Sequence, residues 1–324
     1  MNYRRLGSTG IEVSEIGFGT WGIGGDARGA VAYGPTDDAQ SIAAIRRAYD
    51  LGVTFYDTAD FYGHGHSERV LGEALRGIRK NVIIASKVGM LDNEGRQDFS
   101  PEHIRKSIEG SLGRLQTDTI DLYQLHSISI DELREDDRIL STMNALQESG
   151  KVRAIGISLR SPEEGPAAVH EFGFKAIQVN FSMVDQRALE NRLFDLCEEE
   201  EVGLIVRTPL CFGFLTGAYS SKTHFQANDH RSRWPARQIE RWAKAYTLFA
   251  DGLQGYGSGN GTPTHAQVAL SFCLSYGCVS TAIPGMLTSD QVEENAASSR
   301  MGPLADRERL KVQQIYQDHS FYVR

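Results

Sequence analysis

Four side chains of different chemistry stand at the ends of short apolar runs in the first half of the sequence. Asp57 closes Thr54-Phe55-Tyr56, Tyr62 follows five residues later, Lys87 ends Val82-Ile83-Ile84-Ala85-Ser86, and His126 ends the run Asp121–Leu125. A carboxylate, a phenol, an amine and an imidazole together suit proton transfer to a developing alkoxide. A free phenol near pKa ~10 is a poor acid or base at neutral pH. A Lys87 ammonium beside Tyr62 favours the phenolate and lowers its pKa. Asp57 keeps that ammonium charged and oriented, and His126 donates a hydrogen bond or relays the proton. The sequence pairs no second carboxylate for glycosidase work, no serine with a histidine, and no set of metal ligands. Singly, these residues read as a loop anchor, a core histidine and a buried ion pair. Jointly, at the ends of three successive strands, they read as a site.

The elements that position them follow from the apolar pattern. Eight strand-like runs are expected at Ile16–Thr20, Thr54–Thr58, Val82–Lys87, Thr119–Leu125, Val152–Ser158, Ala176–Asn180, Val202–Arg207 and Val279–Ile283. Most are continuous apolar runs, as parallel strands buried on both faces require. Amphipathic stretches separate them, such as Asp37–Leu51 and Ser67–Leu75. Ser100-Pro101-Glu102 and Ser161-Pro162-Glu163 each offer a helix N-cap followed by proline, and Gly52, Gly150 and Gly203 stand where helices should end in left-handed caps. Eight strand–helix units in series predict a closed (β/α)8 barrel, a TIM barrel, as one domain over residues 1–324. Tyr3–Leu6 and Ile11–Val13 around Gly7-Ser8-Thr9-Gly10 predict an N-terminal β-hairpin plugging its bottom. A typical barrel takes ~250 residues. The surplus falls in that hairpin, in an extended loop at the C-terminal face around Cys211–Pro235, and in a segment from Pro303 to Arg324, the last two expected to frame the site.

Other features exclude functions. Gly17-Phe18-Gly19-Thr20-Trp21-Gly22 matches a dinucleotide fingerprint, but glycines continue through Gly24, Gly25, Gly29 and Gly34 where that fingerprint needs a helix. A loop on the active face is the better account. His64-Gly65-His66 lacks a carboxylate or third ligand, so no metal is expected. Cys197, Cys211, Cys273 and Cys278 form no CxxC pair and read as reduced, buried thiols. Hydrophobic residues make up 40% of the chain, enough for a core, and 34 basic against 42 acidic residues leave a net charge of −8, unsuited to nucleic acid or anionic membrane. The start has no apolar leader and no run is long enough to span a membrane, so a cytoplasmic protein is expected. Asp229–Pro235 reads equally as a substrate lid, a cofactor clamp or a solvated loop tied down by Trp234, and Phe18, Trp21, Phe61 and Phe212 as apolar walls of the site.

With Gly17-Phe18-Gly19-Thr20, Asp57-Thr58-Ala59-Asp60-Phe61-Tyr62-Gly63, Ser86-Lys87, Leu125-His126, Gly156-Ile157-Ser158, Ile283-Pro284-Gly285 and Glu294-Asn295, the sequence resembles the aldo-keto reductase family nearly end to end. The resemblance implies hydride transfer between a nicotinamide cofactor and a small carbonyl substrate, with Tyr62 as general acid/base and Asp57, Lys87 and His126 completing a tetrad. It implies cofactor contacts at Gly19, Thr20, Trp21 and Asp57, and at Ser158 and Gln178 for the carboxamide. Arg207 takes the position where many members stack a tyrosine on the nicotinamide. Thr208, Leu210, Gly213, Leu215 and Gly217 match the loop around the pyrophosphate, and Ile283, Gly285, Gln291, Glu294 and Asn295 the adenosine end. Leu159 replaces a polar residue of many relatives, and Met286, Leu287 and Gln291 stand where a basic residue often grips a 2′-phosphate. NADP(H) is the family default and NAD(H) stays open. The same tetrad serves pathway-specific sugar or natural-product oxidoreductases, and a barrel kept as a cofactor-binding regulatory subunit is the remaining alternative.

Overall fold

A computed structural model describes residues 1–26, 32–92, 94–253 and 262–323, so Gly29 and Arg324 lie outside the described residues. The chain opens with a short antiparallel hairpin, β1 (Tyr3–Arg5) and β2 (Glu12–Ser14). Eight parallel strands follow: β3 (Phe18–Gly19), β4 (Phe55–Asp57), β5 (Ile83–Val88), β6 (Ile120–His126), β7 (Val152–Ser158), β8 (Ala176–Asn180), β9 (Gly203–Arg207) and β10 (Val279–Ala282). Each pairs with the next in sequence, and the ring closes where Gly17 N donates to Ala282 O at 2.8 Å and Gly19 N to Pro284 O at 3.0 Å. The (β/α)8 barrel with its N-terminal hairpin is therefore present.

Side chains of a strand alternate between its two faces, and this period builds the interior in two layers. Phe55, Ala85, Leu122, Ala154, Ala176 and Ile205 point inward as one apolar cluster with Leu6, Ile11 and Val13 of the hairpin. Two residues further along the same strands stand Asp57, Lys87, Gln124, Gly156, Gln178 and Arg207. The hairpin thus seals the floor, and the layer above it is polar. Intervening residues such as Tyr56, Ile84, Tyr123 and Val206 pack outward against the helices.

Helix starts were partly legible. Ser100 caps the helix Pro101–Leu115 by accepting from His103 N at 3.2 Å, and Asp37 caps Asp38–Asp50. Gly52 and Gly150 take φ of 88° and 76°, as left-handed ends require. Gly203 does not. It is the first residue of β9, and a Cβ there would lie 2.5 Å from Gly7 N, so the glycine is needed for the close passage of the hairpin. Ser161 also makes no side-chain cap; its hydroxyl turns to Glu163, ahead of a single 3-10 turn, Pro162–Glu164.

Candidate active site

The polar layer opens into a cavity of about 950 Å³ at the C-terminal ends of the strands. Three of the four residues first singled out are carried there by neighbouring strands, and the fourth by the turn after β4. Asp57 ends β4, Lys87 lies in β5 and His126 ends β6. Tyr62 begins a 3-10 turn, Tyr62–Gly65, that brings its ring back over the barrel. Lys87, fully buried, ties the group together: Nζ donates to Asp57 Oδ1 at 2.5 Å, to Thr58 O at 2.9 Å and to Tyr62 OH at 3.1 Å. The other oxygen of Asp57 accepts from Gln178 Nε2 at 2.7 Å and Gln124 Nε2 at 3.3 Å. Every buried acceptor of the carboxylate is satisfied, which is what makes a buried ion pair tolerable. His126 meets Tyr62 edge-on, with ring centroids 5.8 Å apart.

The electrostatics differ from the first expectation at Tyr62. Burial pushes its phenol above the usual tyrosine range, and the pull of Lys87 does not reverse it, so the hydroxyl is protonated at neutral pH. Burial also disfavours the Lys87 ammonium, but Asp57 and Tyr62 together hold it above the usual lysine range. His126 is driven well below its ordinary value by burial, and further by Lys87 and Arg207. Its imidazole is neutral, and Nδ1 is buried with no partner.

Of the residues assigned to the cofactor, Gly19, Thr20, Trp21, Asp57 and Gln178 line this cavity, as do Arg207, Thr208, Leu210, Gly213 and Gly217. Ile283, Gly285, Gln291, Glu294 and Asn295 line it as well. Ser158 and Leu215 do not. Ser158 is fully buried beneath Arg207, which donates to its Oγ at 2.5 Å, and Leu215 is buried behind the loop. Trp21, Phe61 and Phe212 are walls of the cavity, whereas Phe18 is fully buried and stacks on Tyr56 below it. The loop after β9 turns on left-handed residues: Thr208, Cys211 and Phe212 as well as Gly213 (φ 93°) and Gly217 (φ 81°). Conformations so costly for non-glycine residues persist where surroundings over-determine them, commonly at binding sites.

Asp229–Pro235 is a strap over the cavity. Asp229 pairs with Ala32, and His230 N donates to Ala32 O at 2.9 Å. Arg231 grips Asp229 with Nε and Nη2, donates to Tyr219 OH at 2.8 Å, and places its guanidinium over Tyr33, Phe225 and Tyr219 at 4.4, 4.3 and 5.0 Å. The C-terminal segment, by contrast, frames nothing here: among the described residues none beyond Asn295 lines the cavity. Its end is bound instead to the helix Ala236–Gly252, through Gln238 Nε2 to Phe321 O at 2.9 Å and Arg241 Nη1 to Tyr322 O at 2.5 Å. His66 links Gly24 O and Asp38, and the described residues contain no group of potential metal ligands. All four cysteines are free and buried. No helix among the described residues is long and apolar enough to cross a membrane.

Sequence reasoning missed Gln124, Asn180, Tyr33 and Met90. Gln124 carried the same signal as the tetrad, an amide in an apolar strand two residues above the inward Leu122, and Asn180 is the amide that ends β8, two residues beyond Gln178. Tyr33 and Met90 are loop residues that carry no such signal.

The Aldo/keto reductase family profile matches residues 15–317. The chain belongs to that family. Members are oxidoreductases acting on carbonyl compounds with NAD(P)H. The chain is 36% identical to aldo-keto reductase YhdN of Bacillus subtilis over 251 residues, 75% of this chain and 72% of the relative. It is 32% identical over 300 residues, 90% of this chain and 85% of the relative, to a Schizosaccharomyces pombe protein whose name, aldo-keto reductase yakc, specifies NADP(+). The holo form of aldo-keto reductase AKR11C1 from Bacillus halodurans superposes with a TM-score of 0.78 at 29% identity, covering 97% of this chain and 96% of that one.

A nicotinamide cofactor fits the cavity. It needs a long cleft, a backbone cradle for phosphates, and a donor set at the reacting end. The cavity supplies its volume, the left-handed turns at Gly213 and Gly217, and the Lys87–Tyr62–His126 group.

Proposed function

We propose that the protein reduces an aldehyde or ketone to the alcohol, reversibly, with a nicotinamide cofactor as hydride source and Tyr62 as proton donor. The observation that carries this reading is the contact, at 3.1 Å, of a fully buried, Asp57-paired Lys87 with the OH of Tyr62, which lines the cavity. When bound, the reduced nicotinamide supplies a hydride to the carbonyl carbon. Tyr62 supplies the proton: as the carbonyl π pair moves onto oxygen, the O–H proton transfers to it and leaves a phenolate. Burial keeps that proton in place beforehand, and Lys87 stabilises the phenolate afterwards. Asp57 holds the ammonium, and the amides of Gln178 and Gln124 hold Asp57.

His126 contributes as a neutral donor. With Nδ1 buried and without an acceptor, the proton belongs on Nε2, because an unpaired buried N–H is the costlier orphan. That Nε2–H then orients the carbonyl oxygen. Gln178 spends its amide hydrogens on Asp57 and Gln124, which leaves Oε1 as acceptor for a carboxamide. Gly19, Thr20, Trp21 and Arg207 complete the nicotinamide end, with Ser158 beneath Arg207 supporting its guanidinium, Thr208–Gly217 the pyrophosphate, and Ile283–Asn295 the adenosine. Among the described residues the last of these stretches brings Glu294 but no lysine or arginine to the cavity, so a 2′-phosphate finds no cation there.

The test is Tyr62→Phe, assayed at 340 nm against aldehydes, ketones and keto-sugars, with cofactor titrated by fluorescence. Turnover should fall by at least about 10²-fold with cofactor binding intact. Unchanged carbonyl reduction would overturn the mechanism. In the same titration NADPH and NADH should bind within about tenfold of each other, that is about 1.4 kcal/mol.

A further inference from the structure

Arg207 ends β9 on the inward face, one residue before the left-handed turn at Thr208, and lines the same cavity as Tyr62, Gly213 and Gly217. Its charge acts on both Tyr62 and His126. A cofactor whose phosphates lie against the Gly213–Gly217 loop, and whose hydride reaches a carbonyl at Tyr62, must place its nicotinamide in the space beside Arg207. That placement rests on the function proposed above.

The charge of Arg207 is held without an ion-pair partner: Asp57 and Asp185 attract it from a distance, but each is already paired, with Lys87 and Arg187. Arg207 Nε donates to Asn180 Oδ1 at 2.8 Å, Nη1 to Ser158 Oγ at 2.5 Å and Nη2 to Leu159 O at 2.7 Å. All three acceptors are neutral. The other cations around the cavity differ: Lys87 is paired with Asp57, and Arg231 with Asp229 at 2.6 Å. Among the described residues no carboxylate lies within ion-pair distance of Arg207. A guanidinium stays charged in any protein environment, and its three hydrogen bonds prevent it from leaving the cavity wall. Two of its five N–H donors remain free.

Reduction of a carbonyl removes a hydride, two electrons with one proton, from the dihydronicotinamide ring. The ring is neutral before this step and carries one positive charge after it. A cation without an ion-pair partner beside it therefore opposes the oxidised ring and tolerates the reduced one. In a desolvated cavity such repulsion is far less screened than in water.

We propose that Arg207 discriminates between the two redox states of the cofactor, weakening the oxidised form selectively and so biasing the protein towards carbonyl reduction and release of spent cofactor. The experiment measures dissociation constants of reduced and oxidised cofactor for the unmodified protein, Arg207→Met and Arg207→Lys, by fluorescence titration without substrate. The ratio of oxidised to reduced dissociation constants should fall by about tenfold in Arg207→Met, mainly because the oxidised form binds more tightly. Arg207→Lys, which keeps the charge, should preserve most of the ratio. If Arg207→Met does not fold, Arg207→Gln carries the same expectation while keeping a donor for Ser158. An unchanged ratio with both forms still bound overturns the inference and leaves the proposed function standing. Failure of the unmodified protein to bind either form overturns both.

Discussion

Asp60 stands three residues after Asp57, yet the two carboxyl groups meet opposite surroundings. Asp57 has Lys87 and two amides; Asp60 has the Ser107 hydroxyl on Oδ2, while Oδ1 is buried with no partner. Burial pushes its pKa up to about 7, against the opposing pull of Ser107. An unfolded aspartate ionises near ~4. Between those values the unfolded chain has released the proton and the folded chain keeps it, so stability falls as pH rises from about 4 to about 7 and is level above. Asp60→Asn removes that penalty, and its melting temperature relative to the unmodified protein should rise between pH 5 and pH 8; a flat or falling difference in thermal scans would contradict this. The sequence displayed Asp57, Tyr62, Lys87 and His126 because residue type and strand end coincide. The direction of the Tyr62 shift was hidden, since it depends on how much protein covers the ring, which no spacing encodes.

The strands were legible as continuous apolar runs because both of their faces are buried, and the period of two that divides inward from outward residues set the polar layer above the apolar one. Caps were legible only where the cause is local. Ser100 bonds a backbone group three residues away, whereas Gly203 is glycine because the hairpin, nearly two hundred residues earlier, passes over it. Gly203→Ala should therefore destabilise by overpacking, roughly 1–3 kcal/mol in chemical denaturation. Catalytic constants should hold, because the floor of the barrel is separated from the cavity by the apolar layer. An unchanged denaturation midpoint would show that the hairpin can yield.

Across the whole molecule, the least legible features join loops distant in sequence. His230 and Ala32 are 198 residues apart, and Arg231 gathers rings from three separate loop positions. Arg231→Ala leaves Asp229 buried without its partner and should cost roughly 3 kcal/mol or more in stability, with faster cofactor release in stopped-flow fluorescence. Arg231→Lys should rescue little, since an ammonium cannot reproduce the fork on Asp229. Release at the unmodified rate would mean that the strap covers the cavity without holding its contents. Barrel closure also has an order in time. The hairpin and the approach to β3 are synthesised more than 250 residues before Val279, Ala282 and Ser299, which they bond. Contacts of such separation are slow to form. While the strands between them are made, the chain therefore carries a hairpin and a β3 waiting for their partners, and the pocket that Tyr62 serves comes into existence only when β3 and β10 meet.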